Sequence, residues 1–310
     1  MAAADNEINQ LLQELDSPDA GVREHAAAML AYHEPSAAAA IPQLKALLND
    51  TDGLVRCWAA FALCCVEPPE ESGVKVLLEE LQSEDPEVQI VSAERLGELG
   101  QLGLPAAGAI PGLGENLSHA DARVRKTVAE ALRLMAPASA AAIPSLIRAL
   151  RDPEWEVRFE AAIALGVLGP IARDSVPIFI EWLDASSEQE ARECAAENLA
   201  NVGSESPDAI QTLGRALTDK DENVRYRAAV GLSEIGQPAE AVYDFLVHGL
   251  SDAHAGVVYY CMEALAQLGK RSMAAIQSIE LARKRLARNK SVQEASRKAR
   301  KAILEDHGEH

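Results

Sequence analysis

The chain has 310 residues, 48% hydrophobic but only 4% aromatic, with a formal net charge of −19. Ala and Leu carry most of the apolar content, and strand-preferring residues are few. That composition excludes a β-rich fold and points to an all-α chain of thin, closely packed helical layers, while the charge excludes polyanion binding along most of its length.

The opening MAAADNEINQ lacks a basic region followed by an apolar one, and no uninterrupted apolar run approaches the roughly 20 residues that span a bilayer. Five unevenly spaced cysteines (Cys57, Cys64, Cys65, Cys194, Cys261) do not suit a disulfide framework. A cytoplasmic protein with reduced thiols is expected, without a membrane segment.

The first predicted helix carries Ile8, Leu11, Leu12 and Leu15. Beyond it a pattern recurs around Val22, Val55, Val88, Val124, Val157, Ala191, Val224, Val257 and Val292, at intervals of 33, 33, 36, 33, 34, 33, 33 and 35 residues. So regular a period marks a repeat array. Three residues before most of these anchors stands a carboxylate (Asp19, Asp52, Asp85, Asp121, Glu154, Glu188, Asp221), where Asp caps a first turn and either acid favours the helix dipole. Small and apolar residues follow with helical spacing, as Ala161, Ala162, Leu165 and Leu168 follow Val157.

Each such helix is expected to close near Gly169, Gly203, Gly236 or Gly269 in a left-handed cap. A second helix then opens, in four repeats with Ile41-Pro42, Ile110-Pro111, Ile143-Pro144 or Val176-Pro177, where proline in the first turn loses no hydrogen bond. Between Gly97 and Gly114 the interval stretches and glycines crowd, which predicts a bend or a frayed helix over GAIPGLGENL. The chain from Ser272 to Leu304 supplies a longer closing pair, giving about nine stacked antiparallel helix pairs in which neighbours complete each other's core. Residues 1–304 read as one solenoid and 305–310 as a disordered tail.

The pattern IPxLxxxL-D-xxxx-VRxxAAxALGxLG, over roughly residues 5–304, resembles the HEAT repeat, and its short spacing resembles the phycobilisome-lyase-like branch of that family. The resemblance implies a right-handed α-solenoid with the Ile-Pro helices outside and the Val-Arg helices lining a concave side. It also implies a ladder between Asp50, Asp152, Asp219 and Asp252 and the arginines Arg23, Arg56, Arg125, Arg158, Arg192 and Arg225, interrupted where Gln89, Val258 and Gln293 replace Arg.

At 100° per residue, positions two and six after each anchor point away from the buried stripe. With neighbouring aromatics they supply candidate partner-binding residues on the expected concave face: Cys57, Trp58, Phe61, Ile90, Phe159, Ile163, Tyr226, Val230, Tyr259 and Tyr260. Apolar residues in an acidic groove suit an amphipathic helix or extended peptide carrying basic residues.

From Lys270 to Lys301 there are eleven Lys or Arg against two Glu, about +9. Arg283, Lys284, Arg285, Arg288, Arg297, Lys298, Arg300 and Lys301 form a basic C-terminal face. Without interleaved aromatics it reads as a solvated cap rather than a nucleic-acid site.

Cys57, Cys64 and Cys65 lack a fourth ligand at metal spacing, and His307 and His310 sit in the polar tail. The His-Glu pairs of a di-iron hydroxylase built on similar repeats are missing; His33-Glu34 precedes Pro35 at a helix end. No phosphate loop, nucleophile elbow or zinc HExxH is present. A non-enzymatic scaffold, monomeric when free, is therefore expected, with a protein or peptide partner and no cofactor, metal, nucleic acid or membrane. The alternative that the resemblance implies is a bilin lyase-type enzyme or chaperone subunit acting on a phycobiliprotein.

Overall fold

The computed structural model describes residues 2–32, 39–66, 72–186 and 188–305. The predicted tail beyond Glu305, with His307 and His310, lies outside the described residues, as does His33-Glu34. Among the described residues there are helices and turns but no strand. They form an α-solenoid of stacked helix pairs, in two compact units, residues 1–167 and 168–310.

In the first unit the inner helices are α2 (Ala20–Tyr32), α4 (Gly53–Cys65), α6 (Pro86–Gln101), α8 (Ala122–Leu134) and α10 (Trp155–Leu168). The outer ones are α1 (Ala2–Glu14), α3 (Ile41–Leu47), α5 (Ser72–Glu80), α7 (Ile110–Asn116) and α9 (Ile143–Ala149). In the second, outer α11 (Val176–Ala185), α13 (Pro207–Ala216), α15 (Tyr243–Gly249) and α17 (Ile276–Arg285) alternate with inner α12 (Gln189–Val202), α14 (Glu222–Ile235), α16 (Ala255–Gln267) and α18 (Lys290–Glu305). Consecutive inner helices stack on one another from α2 to α8 and from α12 to α18, and the outer helices α1, α3, α5, α7, α11, α13, α15 and α17 each pack on the inner helix that follows.

The local signals act as their chemistry requires. Asp52, Asp85, Asp121 and Asp221 accept hydrogen bonds from the first-turn amides of α4, α6, α8 and α14, whereas the longer Glu188 makes no cap bond to α12. Proline stands in the first turn of α3, α7, α9 and α11. Gly169, Gly236 and Gly269 adopt left-handed φ of 67°, 73° and 56°. Gly203 does not: its φ is −116°, and glycine is needed there because a Cβ would lie 2.6 Å from that of Ala209.

In the glycine-rich stretch the frayed alternative does not hold. α7 is formed, with Leu113, Gly114 and Asn116 buried and the Asn116 amide donating to the Gly112 carbonyl. The extra residues lengthen α6 to 16 residues and enter the turn at Gly103, where φ is 72°.

Eight of the nine anchors are buried, from Val55 to Val292. The exception is Val22, 36% exposed. An anchor packs against the inner helix before it, as Val88 meets Gly53 of α4, and α2 has no inner helix before it.

The segment Trp155–Ala185 has the length and mean hydropathy of a membrane span, although Arg173 and Asp174 among other charges interrupt its apolar run. It is divided at Gly169 by a tight 3-10 turn into α10 of 14 residues and α11 of 10, each short of the roughly 20 that cross a bilayer as one helix.

All five cysteines are free thiols. Burial pushes Cys57, Cys64 and Cys194 up to about 12 and Cys65 to about 11, and raises Cys261 as well. Thiolate is the reactive form, so Ellman's reagent at pH 8 is expected to titrate native protein at least tenfold more slowly than the guanidinium-unfolded chain, half-buried Cys65 reacting first. Five thiols reacting at the unfolded rate in native protein would contradict this packing.

Candidate partner-binding face of the inner helices

A ladder of charged turns sets the pitch that positions this face. Arg23 Nε and Nη2 each donate to an Asp50 carboxylate oxygen at 2.8 Å. Arg125 holds Asp152 at 2.7 and 2.8 Å, Arg192 holds Asp219 at 2.9 and 3.2 Å, and Arg225 holds Asp252 at 2.6 and 3.2 Å. In each case the arginine lies 27 residues before its aspartate. The same aspartates accept a turn amide two residues on, as Asp50 does from Asp52 and Asp219 from Asp221. The Arg23 hydrogen bond is the main reason Asp50 sits below the usual carboxylate range. At Asp152, Asp219 and Asp252 burial opposes the shift, and the arginine and amide hydrogen bonds outweigh it.

The expected pairing fails for Arg56, whose partner is Glu80, at 2.6 and 2.8 Å. Ser83 stands where the aspartate belongs and caps the Asp85 amide, so one Asp's two tasks are split between Ser83 and Glu80. Arg158 donates to the Asp152 and Pro153 carbonyls.

The predicted interruptions are compensated. Gln89 donates to the Leu81 carbonyl, and Gln293 to those of Arg283 and Leu286. Opposite Val258, 27 residues on, stands Arg285; its guanidinium reaches back to the carbonyls of Leu250, Ser251 and Asp252. Arg225 makes the equivalent bond to Asp219 one repeat earlier, so the cation has moved to the other side of the turn.

In the first unit, Cys57 and Phe61 correct the sequence reading: both are fully buried rather than open to a partner. The Cys57 thiol lies 3.8 Å from the Val88 carbonyl of the next inner helix. Phe61 is covered edge-on by Tyr32 at 5.9 Å and Trp58 at 6.1 Å, and by the Arg95 guanidinium at 5.2 Å. A single-helix projection omits the long side chains that adjoining helices extend over it.

Half-buried Trp58 lies under Arg95, whose guanidinium carbon is 4.3 Å from the ring centroid. Glu94, Glu98 and the Tyr32 hydroxyl complete the cation's partners at 3.4, 3.1 and 3.0 Å. Ile90 and Ile163 are half-buried. Phe159 is 38% exposed, with Trp155 beside it at 5.8 Å.

In the second unit, Tyr226, Val230, Tyr259 and Tyr260 are half-buried and stand together on α14 and α16. Tyr260 meets Tyr226 at 5.6 Å and Tyr259 at 5.0 Å, and Tyr226 meets His254 at 5.5 Å, all edge-to-face. A Tyr226–Tyr260 hydrogen bond, then burial, raises Tyr260 above its ordinary phenol value. Gly256 permits the approach, since a Cβ there would lie 2.8 Å from the Tyr226 ring. Carboxylates stand on the same and the adjoining inner helices: Glu263 follows Tyr259 by one turn, Glu234 acts on Tyr260, and Glu193 and Glu197 lie on α12. Burial, then its acidic neighbours, raise Glu193 despite Arg227, which pairs with Glu197 at 3.2 Å.

The basic C-terminal residues divide by role. Arg283 and Arg300 bind Glu280 at 2.9 and 2.7 Å, Arg285 holds the turn, and Lys298 pairs with Glu294 at 3.5 Å. Lys284, Arg288, Arg297 and Lys301 are exposed.

A family model described as HEAT repeats matches residues 8–70, 41–110, 74–166, 110–200 and 176–266. The chain belongs to the HEAT-repeat family. Among solved structures, these HEAT repeats resemble the matched chain of a Kap95p–RanGDP structure, with TM-score 0.65 and 15% identity over 96% of this chain and 45% of that one. The solenoid thus spans under half of that relative's length. The E. coli protein YibA matches with TM-score 0.54 and 20% identity, over 84% of this chain and 92% of that one. The CpcE–CpcF phycocyanin lyase complex of Nostoc sp. PCC7120 matches at TM-score 0.43 and 21% identity, over 78% and 94%. No curated protein matches.

Proposed function

We propose that this HEAT-repeat protein is a non-enzymatic scaffold that binds a protein or peptide partner on its inner-helix face. The observation that carries the reading is the tyrosine cluster of α14 and α16: apolar ring surface held half-open among carboxylates, where a purely solvated face would be polar. Exposed Phe159 extends the same property to the first unit. Kap95p, a larger chain of this fold, binds RanGDP, which supports a protein as the class of partner. Five free thiols suit a reducing cytoplasmic setting.

The test is Phe159→Asp combined with Tyr226→Asp. Far-UV circular dichroism is expected to keep its wild-type helical signal, while proximity crosslinking in cells loses the partners captured by wild type at least tenfold, a difference of about 1.4 kcal/mol or more in binding. Unaltered capture by the folded variant would refute the reading.

A further inference from the structure

We infer that the outer groove between α7 and α9 is an anion site that takes a phosphate monoester or free phosphate. It belongs to the outer layer of the first unit and does not depend on the inner-face partner. Two adjoining hollows of about 360 and 410 Å³ share Ser118, Ser145 and Arg148, and extend from Gly114 to the turns that carry His119 and Arg151.

Glycine keeps this space open. Ten residues before their anchors, Lys45, Leu78 and Ile147 carry side chains where Gly114 has none. A Cβ at Gly114 would lie 3.5 Å from Ser145 Oγ, on the wall of the groove. The corresponding Gly214 is closed instead, because a Cβ there would lie 2.5 Å from Val242 Cγ1. A groove that must stay empty of its own side chains accounts for a glycine inside α7 in spite of its helical cost.

The neighbouring turn has exchanged a carboxylate for a donor. Asp50, Asp152, Asp219 and Asp252 stand five residues before their anchors, and each accepts the amide two residues on. His119 stands at this step before Val124 and accepts the Asp121 amide on Nδ1 at 3.0 Å. With Nδ1 as acceptor the ring hydrogen sits on Nε2, so the turn keeps its closing bond, sheds a negative charge and gains a donor. The arginine that would answer an aspartate here is also gone, replaced by Gln89.

Cations border the same groove. Arg148 is exposed and its Nη2 donates to Ser145 Oγ at 2.7 Å; among the described residues it has no carboxylate partner. Exposed Arg151 stands six residues before its anchor, where Asn49, Gln82, Ser118 and Thr218 stand in other repeats. Asp152 and Asp121 are held by Arg125 and Arg123, which leaves Glu115 as the opposing charge on the lining. Two guanidinium groups, an imidazole N–H and two hydroxyls therefore line one groove of a chain whose net charge is −19. That donor set matches the double charge and three terminal oxygens of a phosphate monoester better than the single charge of a carboxylate.

The test uses the full-length protein and a fluorescein-labelled Gly/Ala peptide with one central phosphoserine, read by anisotropy at low salt. Versions with serine or glutamate at that position are each expected to bind at least tenfold more weakly. Arg148→Ala and Arg151→Ala should each weaken the phosphopeptide at least fivefold, and Glu115→Gln should tighten it at least twofold. His119→Asp restores the residue type that the ladder uses elsewhere, so it is expected to keep wild-type circular dichroism and urea stability while losing at least tenfold in affinity. Arg215→Ala, an exposed arginine at the step of Arg148 two repeats later, should leave affinity within twofold.

Equal losses in Arg215→Ala and Arg148→Ala would overturn the site in favour of diffuse attraction. Unchanged binding by folded His119→Asp, or a glutamate peptide as tight as the phosphoserine one, would overturn it as well. Unlabelled competitors separate the two sources of the ligand: inorganic phosphate as effective as phosphopeptide assigns the site to free phosphate, and at least tenfold weaker competition assigns it to a phosphorylated segment.

Discussion

Phe61→Ala is expected to destabilise the first unit by about 3–5 kcal/mol, the cost of deleting a fully buried aromatic ring and leaving a cavity. The ring touches neighbours from three successive inner helices: Tyr32 of α2, Trp58 beside it on α4, and Arg95 of α6. Because HEAT pairs contact only their neighbours, the damage stays local. Amide hydrogen exchange across α4 should accelerate on the order of a hundredfold or more, while α14 and α16 keep wild-type protection. Phe159→Ala, at a 38% exposed position on the same type of helix, should change exchange by less than about tenfold. Equal effects at the two positions would mean that Phe61 is open to solvent after all.

Arg125→Ala is expected to cost about 2–3 kcal/mol, between the value of an exposed ion pair and that of a broken buried one. The guanidinium makes two bonds to Asp152 and two to the carbonyls of His119 and Ala120, and its side chain is 11% exposed against 8% for Asp152. Alanine leaves a shielded carboxylate and two carbonyls without their donor.

The effect depends on pH. In the wild type the Asp152 carboxyl is held below its unfolded value, so its contribution is complete above about pH 4 and is lost as pH falls through the lower folded value. In the variant the same carboxyl keeps its burial and loses its cation, so its pKa moves upward and acid relieves it. Urea unfolding at pH 7 and at pH 4 should therefore show the gap between the two proteins narrowing in acid. A gap that does not change with pH would show the pair to be without electrostatic consequence.

Much of the architecture was legible because each repeat is specified by local chemistry. Asp52, Asp121 and Asp221 cap with their own side chains, Pro42, Pro111, Pro144 and Pro177 tolerate only a first turn, and the 33-residue period of the valines is a property of the chain alone. The ladder was legible in part. The resemblance to the HEAT repeat identified Asp152, Asp219 and Asp252, but Glu80 and Arg285 entered by reaching across a turn from positions with no such signature. The 27-residue offset from Val258 to Arg285 was the available clue.

Of the candidate face, the residue types were determined by the sequence and their accessibility was not. Cys57 and Tyr226 stand at the same step after their anchors, yet one is closed beneath the Val88 backbone and the other keeps part of its ring open beside Tyr260. Helical periodicity assigns a side chain its direction from its own axis; what covers it comes from the adjoining helices. In the first unit Tyr32 and Arg95 are long enough to close over Phe61, whereas at the equivalent step of α16 stands Glu263, which is half-buried.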